Sequence, residues 1–383
     1  MRLPGTLLAV MATLMAAPAA AQEDGLRGVW QGTIGTLPVH ACFEGEDGNG
    51  LYYYDRYLDR LRLVNEEGVF TEVAAFRREG TATWRFAEVT GLRASGTWAD
   101  GDRRLPIALQ RLDWTAPDDY HGPCEAEAFM GPLLVGSEVT SAPATLDGVT
   151  YTTLTFVPPP QWRGNTEDDF AAVAISTFAL PEERWGDRAI NRELAEYLPR
   201  GTADDEYVQC LAGTIIHNGA DGDFSEIVVP EVITGRWLGV RVSNGNYCGG
   251  AHPNYWEHRR VFDRQFGEEI NPDSWFSEQG LERRIIGEGE DALLGVEPTE
   301  ALRAVFARNW PAGADPECRD VALESAFGWD IGLAHEGIAV IPELPHVATA
   351  CAETVVLPWH EVEPFMSGEG RLLLVTMDVE DRD

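Results

Sequence analysis

Short stretches in which bulky and polar residues alternate fill the chain from residue 22 to about residue 112, with glycine, asparagine and aspartate between them. A period of two is typical of strands with one buried face, and regular turn residues between such stretches indicate an antiparallel barrel or meander. The clearest examples are residues 28–35, 51–54, 82–86, 94–98 and 105–109. The pattern therefore predicts an all-β, antiparallel N-terminal domain.

Several aromatic residues lie within these predicted strands. They are Trp30, Tyr52, Tyr54, Trp84 and Trp98. One interpretation is an aromatic platform that faces a glycan, and the other is the core of the domain. Strand alternation favours the core, because large rings on one face of a sheet are the residues that folding removes from water.

Beyond residue 140 the pattern changes between periods. Apolar residues at helical spacing predict helices at 189–198, 280–294 and 298–310, the last with Thr299 as N-cap. Strand-like runs surround them, including a terminal strand at 371–379, and residues 207–216 fit either state. Helices among antiparallel strands indicate the α+β class. We expect two domains, an antiparallel β-domain at 22–140 and an α+β domain at 141–383.

Residues 1–21 have the layout of a secretory signal peptide. Arg2 precedes an apolar run at 7–17, and Ala19-Ala20-Ala21 provides a cleavage site after Ala21. A membrane anchor is the alternative, but the apolar run is shorter than the ~20 residues that a span needs. The sequence predicts a periplasmic or secreted protein without a membrane span in the mature chain.

Six cysteines are consistent with that compartment, because an even number in an exported chain favours disulfides. They fall along the sequence as three neighbouring pairs, Cys42 with Cys124, Cys210 with Cys248, and Cys318 with Cys351. We favour this pairing among the possible connectivities. No CxxC motif or zinc-type cluster is present, so the alternatives of isolated buried thiols or a metal site are weaker.

The formal charge is −34, and all 29 cationic Lys/Arg side chains are arginine. This balance argues against nucleic-acid binding, which requires a basic face. It favours encounter with a basic partner through long-range attraction, although solubility or adaptation to salt also explains it.

The stretch 246–254 combines a cysteine, two glycines and a His-Pro pair between two strand-like runs, which indicates a specific backbone bend. Candidate binding residues here are Tyr247, His252, Asn254 and His258. A metal site on His252 and His258 with an acid such as Glu257 or Asp263 is one hypothesis. The favoured one is that His252 hydrogen-bonds a neighbouring backbone group and fixes the loop; contact with a partner is the third.

The acidic loop 218–226 has oxygen-bearing residues at alternating positions, as calcium prefers, but lacks the full EF-hand pattern. We favour a solvated hairpin turn. No zinc-protease motif, GxSxG nucleophile or phosphate-binding glycine loop is present in the sequence. We therefore name no catalytic residue, no metal ligand and no cofactor, and the balance leans away from an enzyme.

Residues 246–253, Asn-Tyr-Cys-Gly-Gly-Ala-His-Pro, resemble the Tyr-x-Gly-Gly-Ala-His core of the DUF3298 family, often preceded by a DUF4163-like segment. Further similarity follows in order at 190–191, at 262–276 with Glu268 in place of the usual lysine, at 329–338 and at 354–359. The resemblance covers roughly 149–366. The first domain also resembles small β-domains of unknown function that open with the pattern at 28–35.

Family members occur in the extracytoplasmic part of a lysozyme-sensing anti-sigma factor and beside peptidoglycan deacetylase domains. The resemblance thus implies a non-catalytic binding module at the cell envelope, whereas neither signalling nor deacetylation is carried over. Our leading hypothesis is an exported binding protein for a basic protein such as lysozyme or for an envelope glycan such as a peptidoglycan component. A metal-assisted hydrolase using His252 and His258, and a structural envelope protein without a ligand, are the alternatives.

Overall fold

The computed structural model describes residues 25–45, 48–73, 82–116, 121–162, 173–218, 222–286, 293–326 and 328–380. The predicted signal peptide and residues 219–221, at the centre of the acidic loop, lie outside the described residues.

The N-terminal strands form a closed antiparallel barrel in which each strand pairs with the next and the last pairs with the first. The alternation of the sequence predicts this, because every strand has one face toward the barrel interior. The strands are β1 (Gly28–Ile34), β2 (Leu37–Phe43), β3 (Gly50–Tyr54), β4 (Leu61–Glu66), β5 (Val69–Val73), β6 (Thr83–Val89), β7 (Arg93–Asp100) and β8 (Arg103–Arg111).

Aromatic side chains fill the barrel around one carboxylate. Glu72 accepts hydrogen bonds from the Tyr52 hydroxyl (2.6 Å) and from the indole nitrogens of Trp84 (2.9 Å) and Trp98 (2.5 Å). Trp30, Tyr52, Trp84 and Trp98 are buried, and Tyr54 is partly buried against the same core. These rings therefore form core, which confirms the interpretation favoured by their spacing.

A segment of short helices connects the barrel to the next sheet. It contains a 3-10 turn (Pro123–Glu125), α1 (Glu127–Met130) and a second 3-10 turn (Gly131–Leu134). The Tyr53 hydroxyl donates to the carbonyl oxygen of Phe129 at 2.9 Å, so the segment packs closely on the barrel. The predicted division into domains at residue 140 stays a prediction.

A seven-stranded sheet follows, in the spatial order β15, β14, β13, β12, β11, β10, β9. Adjacent strands in this sheet are antiparallel, except that β11 and β12 are parallel. Two helices connect these two strands. The elements are β9 (Glu138–Leu146), β10 (Val149–Val157), a 3-10 turn (Pro160–Trp162), β11 (Val173–Ala179), α2 (Asp187–Ala195), α3 (Glu206–Asn218), β12 (Asp223–Ile233), β13 (Trp237–Tyr247), β14 (Asn254–Asp263) and β15 (Glu268–Ile270).

The remaining elements pack against β14 through a three-stranded sheet. They are a 3-10 turn (Pro272–Trp275), β16 (Leu281–Ile286), β17 (Leu293–Pro298), α4 (Glu300–Arg308), α5 (Pro316–Ser325), β18 (Gly328–Ala334), β19 (Gly337–Glu343), a 3-10 helix (His346–Cys351), β20 (Val355–Pro358), α6 (Trp359–Val362), a 3-10 turn (Glu363–Phe365) and α7 (Gly368–Glu380). The architecture confirms the α+β class. Thr299 caps α4 as predicted, since its side chain accepts from the Leu302 amide.

Two predicted elements are wrong. The region predicted as a helix at 280–294 contains β16, which pairs with β17 from Leu281 opposite Pro298 to Ile286 opposite Leu293. The region predicted as a terminal strand at 371–379 lies in α7, where Leu373 and Met377, four residues apart, are both buried. In both cases tertiary contacts outweigh the local preference of a short apolar run.

The six cysteines form three disulfides, Cys42–Cys124, Cys210–Cys248 and Cys318–Cys351. This confirms the pairing of sequence neighbours. In the described part of the chain, no helix is both long enough and apolar enough to cross a membrane.

A fully buried ion pair holds the start of α2 against the turn after β14. The Arg264 guanidinium donates to both carboxylate oxygens of Asp187, at 2.8 and 3.0 Å, and both side chains are buried. Asp187 also accepts from the backbone amides of Glu183 and Arg184. This satisfies the charges where water cannot.

Replacing Asp187 with alanine leaves the Arg264 charge buried without its partner. We expect Asp187→Ala to lower the free energy of unfolding by about 3–5 kcal/mol in urea titrations. The control is Glu182→Ala, which removes the partner of Arg188 from an exposed pair and should leave the urea midpoint unchanged. Equal effects of the two changes would contradict the structural role of the buried pair.

Candidate functional site

The bend predicted at 246–254 is the loop of the β13–β14 hairpin. Asn246 lies opposite Asn254 at the end of the paired strands, and the loop passes through Gly249 at φ 90°. That backbone conformation favours glycine. Cys248 ties the loop to Cys210 on α3. The residues singled out in the sequence therefore lie at or beside one hairpin loop.

His252 is exposed and packs against a different part of the chain. Its ring stacks on that of His346, with centroids 3.9 Å apart and planes at 17°, and its Nδ1 lies 3.2 Å from the carbonyl oxygen of Pro253. His346 begins the 3-10 helix at His346–Cys351. The hairpin loop thus contacts a segment that is distant in sequence.

His258 lies on β14 itself, half-buried, and stacks on Trp256 with centroids 4.9 Å apart. Burial is the main reason that its pKa is lowered, and the charge of Arg260 acts in the same direction. His252 and His258 each have a different aromatic partner. Among the residues with described positions, no group of three or more His, Cys, Asp or Glu side chains is placed to hold a metal ion.

Asn254 and Tyr247 make backbone and amide contacts. The Asn254 amide donates to the side-chain oxygen of Asn246 at 3.4 Å, and Asn246 donates to Asn244 at 3.2 Å. The carbonyl oxygen of Tyr247 accepts from the Thr214 hydroxyl on α3 at 3.4 Å. These contacts fix the end of the hairpin.

A cavity of about 360 Å³ opens beside the hairpin, between β14 and the ends of β18 and β19. We call it the hairpin cavity. Tyr255 and Trp256, at its rim, are 59% and 43% exposed, which is unusual for large rings. Its floor contains Ile341, Pro342 and Leu344. The cavity therefore offers both aromatic and apolar contact area.

Three carboxylates also line the hairpin cavity, Glu257, Asp330 and Glu343. Glu257 has several partners, since it accepts from the Ser243 hydroxyl at 3.1 Å and from the Tyr255 hydroxyl at 3.2 Å. Glu343 is exposed. The lining is thus acidic, with His258 as its only basic side chain among the described residues.

Asp330 is the least compensated of the three. Burial raises its pKa to about 7, against the opposing effect of the Arg259 charge. Its Oδ2 lies 3.8 Å from Nη1 of Arg259, and neither atom has a hydrogen-bond partner within the described part of the chain. These two buried atoms are therefore joined only by an ion-pair contact, and Asp330 is the one of the two residues that lines the cavity.

Two disulfides hold opposite walls of the hairpin cavity. Cys248 fixes the hairpin loop on α3, and Cys351 fixes the helix at His346–Cys351 on α5. The second wall contributes Thr349 to the lining. Between these anchors the stacked rings of His252 and His346 join the two segments.

Of the residues that the sequence singled out, His258 and Glu257 line this cavity; their role as ligands stays a prediction. Tyr255 and Trp256 were interpreted only as part of an alternating strand. Asp330 and Glu343 lie more than seventy positions further along the chain, and nothing local distinguishes them among 63 acidic residues. A partial signal was present in two consecutive aromatic residues on a strand, where alternation must expose one of them.

No family model and no curated protein matches the chain. Two solved structures of DUF3298 family proteins are similar to it, one from Bacteroides fragilis NCTC 9343 and one from Pseudomonas aeruginosa PAO1. The first is 13% identical, with 61% of this chain and 92% of that chain covered, at a TM-score of 0.35. The second is 12% identical, with 61% and 94% covered, at a TM-score of 0.31. Both bear the name of the family that the sequence resembles; similarity at this level transfers no residue role and no ligand.

The raised pKa of Asp330 predicts a pH-dependent cost. Its pKa is about 7 in the folded state and near its ordinary value of 3.8 in the unfolded chain, so ionisation opposes folding. The cost is absent below about pH 4, grows as the pH rises and is complete above about pH 7. Relative to the wild type, Asp330→Asn should therefore gain up to about 4 kcal/mol of unfolding free energy between pH 4 and pH 8.

Urea titrations of both proteins across this pH range measure the difference. The matched control is Asp320→Asn, since Asp320 is an exposed aspartate with 61% of its side chain accessible. Replacing it should change the free energy of unfolding little, because an exposed ion pair contributes little to stability. An Asp330→Asn difference that does not change with pH would contradict this reading of the cavity.

Proposed function

We propose that this protein is an exported binding protein that captures a basic partner, such as lysozyme, through the hairpin cavity. The observation that carries the proposal is the combination of three carboxylates with two exposed aromatic rings around one cavity. Aromatic residues and desolvated charges supply most of the binding energy at protein interfaces.

The charge of the whole chain also supports a basic partner. At a formal charge of −34, it attracts a cationic protein over distances longer than a contact, which raises the rate of encounter. Such attraction weakens with salt, because the Debye length falls from about 30 Å at 0.01 M to about 3 Å at 1 M. The proposal therefore includes a steep salt dependence.

Export is supported by the disulfides. Three of them are typical of a protein that matures outside the reducing cytoplasm. This agrees with the signal-peptide pattern of the first residues, and we propose the periplasm or the extracellular space as the location.

A peptidoglycan component is the second candidate, favoured by one contact. Nη1 of Arg259 is a donor and Oδ2 of Asp330 is an acceptor, 3.8 Å apart and both without a hydrogen-bond partner among the described residues. A sugar hydroxyl both accepts and donates, so one hydroxyl can satisfy the two atoms. The apolar face of a sugar ring also packs well on an aromatic side chain.

The hydrolase hypothesis receives less support from the geometry. It requires His252 and His258 to act on one metal ion, whereas their rings stack on His346 and on Trp256 respectively. Elemental analysis of the purified protein tests it directly, since stoichiometric zinc would revive it.

The main proposal predicts that Trp256→Ala weakens the binding of lysozyme at least about tenfold, as expected for an exposed tryptophan that lines the contact surface. Isothermal titration of lysozyme at low salt measures the affinity, and about 0.5 M NaCl should reduce it strongly. The matched control is Trp185→Ala, because Trp185 is 93% exposed and is not part of the cavity.

Titration with soluble muropeptides in parallel separates the two candidates. If the protein binds muropeptides but not lysozyme, and Asp330→Asn abolishes that binding, the peptidoglycan component is the better candidate. Lysozyme binding that is equal in both tryptophan variants would contradict the proposed surface, and no binding of either ligand at low salt would leave the structural envelope protein as the better explanation.

A further inference from the structure

The seven-stranded sheet carries a second cavity, on the face that α2 covers. Arg259 and Arg260 are neighbours on β14 and therefore point to opposite faces. Arg259 contacts β18, beside the hairpin cavity, whereas Arg260 pairs with Glu193 on α2 at 2.7 Å. On the α2 side, a cavity of about 320 Å³ lies between residues 196–207 and strands β11 and β12. We call it the helix cavity.

The acidic residues at this cavity have different tasks. Asp205 accepts from the backbone amides of Arg200, Gly201 and Thr202, so both of its oxygens fix the turn before α3. Glu226 instead projects from β12 and is half-buried. Glu206 lies close enough for its charge to act on Glu226.

The ionised form of Glu226 is poorly compensated. Burial, and next the charge of Glu206, raise its pKa to about 7, while a hydrogen bond from the buried side chain of Asn244 opposes them. Glu206 is exposed and lines the same cavity, so a cation bound between the two carboxylates would stabilise the ionised form of Glu226. Among the described residues that line this cavity, Arg200 is the only one with a cationic side chain, and Arg200 is exposed.

A second observation is independent of these acids. Tyr207 lines the helix cavity and is 1% exposed, yet its hydroxyl has no hydrogen-bond partner within the described residues. Its ring is held between Phe156 and Trp162, at centroid distances of 5.4 and 6.1 Å. Buried hydroxyls are nearly always hydrogen-bonded, so a missing partner at a cavity indicates a place for a ligand atom.

We propose that the helix cavity binds a primary ammonium group on a short aliphatic chain. An ammonium group presents three N–H donors and no acceptor. The cavity offers three acceptors to match, the carboxylates of Glu206 and Glu226 and the hydroxyl of Tyr207. The aliphatic part of the ligand lies against Ile175, Leu198 and Phe224, which line the same space.

The ammonium comes from another molecule. The chain contains no lysine, so neither this protein nor a second copy of it supplies such a group from a side chain. The helix cavity and the hairpin cavity share no lining residue, and this site does not depend on the function proposed at the hairpin cavity.

Isothermal titration with n-butylammonium in an amine-free buffer at pH 8 and low salt tests the proposal. We expect a dissociation constant of about 1 mM or below for the wild type, at least about tenfold weaker binding by Glu226→Gln, and about threefold to tenfold weaker binding by Tyr207→Phe. Tetramethylammonium has the same charge but no N–H donor, so it should not bind. Glu138→Gln, a change of an exposed carboxylate on β9, should leave the affinity unchanged.

Thermal unfolding of each variant checks that it is folded, and Glu206→Gln replaces Glu226→Gln if the latter is not. Three results would overturn the proposal: no saturable heat with the wild type, equal affinity in the Glu226→Gln or replacement variant, or equal binding of tetramethylammonium. The proposal is supported if n-butylammonium binding is lost in Glu226→Gln or Glu206→Gln and is retained in Glu138→Gln. Trp256→Ala leaves this cavity intact, so a failure of lysozyme binding in that variant does not affect the result.

Discussion

The buried guanidinium of Arg259 is the constraint on which the second half of the structure depends. Its Nε donates to Glu231 on β12 at 3.1 Å, and its Nη2 donates to the Thr354 hydroxyl at 3.0 Å and lies 3.4 Å from Glu257. With its side chain only 3% exposed, an unpaired charge here would cost several kcal/mol. The strands that carry its partners must therefore keep their positions. Gly332 on β18 belongs to the same constraint, because a Cβ there would lie 2.4 Å from Cδ of Arg259.

The same arrangement explains why the hairpin cavity is acidic. Glu231, Thr354 and Glu257 engage Nε and Nη2 of Arg259, so of this guanidinium Asp330 meets Nη1, at 3.8 Å. A carboxylate that is buried but incompletely paired keeps a raised pKa and an unsatisfied oxygen. The fold thus keeps the Asp330 carboxylate incompletely paired. The ion pairs of Arg259 with Glu231 and Glu257 stabilise the surrounding strands and offset this cost. Asp187 and Arg264 show the opposite arrangement, in which full pairing leaves nothing for a ligand.

The sequence predicts those parts of the fold that local periodicity and covalent chemistry determine. Alternation of bulky and small residues from Gly28 onward predicts the barrel, and the order of the six cysteines along the chain predicts their pairing. The failures occurred where a short apolar run fits both periods. At 281–286 the partner strand decides the state, and at Leu373 and Met377 a buried helical face does so. Neither partner can be identified from the run itself, because the deciding contacts are tertiary.

The candidate site was less predictable than the fold for the same physical reason. Local signals identify the bend at Gly249 and the histidines beside it, since backbone geometry depends on neighbouring residues. A cavity instead requires surfaces brought together from distant parts of the chain, here Trp256 with Asp330, and Glu226 with Tyr207. In a chain with 63 acidic residues, what separates a binding carboxylate from a solvated one is its desolvation and its lack of a partner. Both are properties of packing, so the acids that matter become identifiable only when the strands and helices around them are in place.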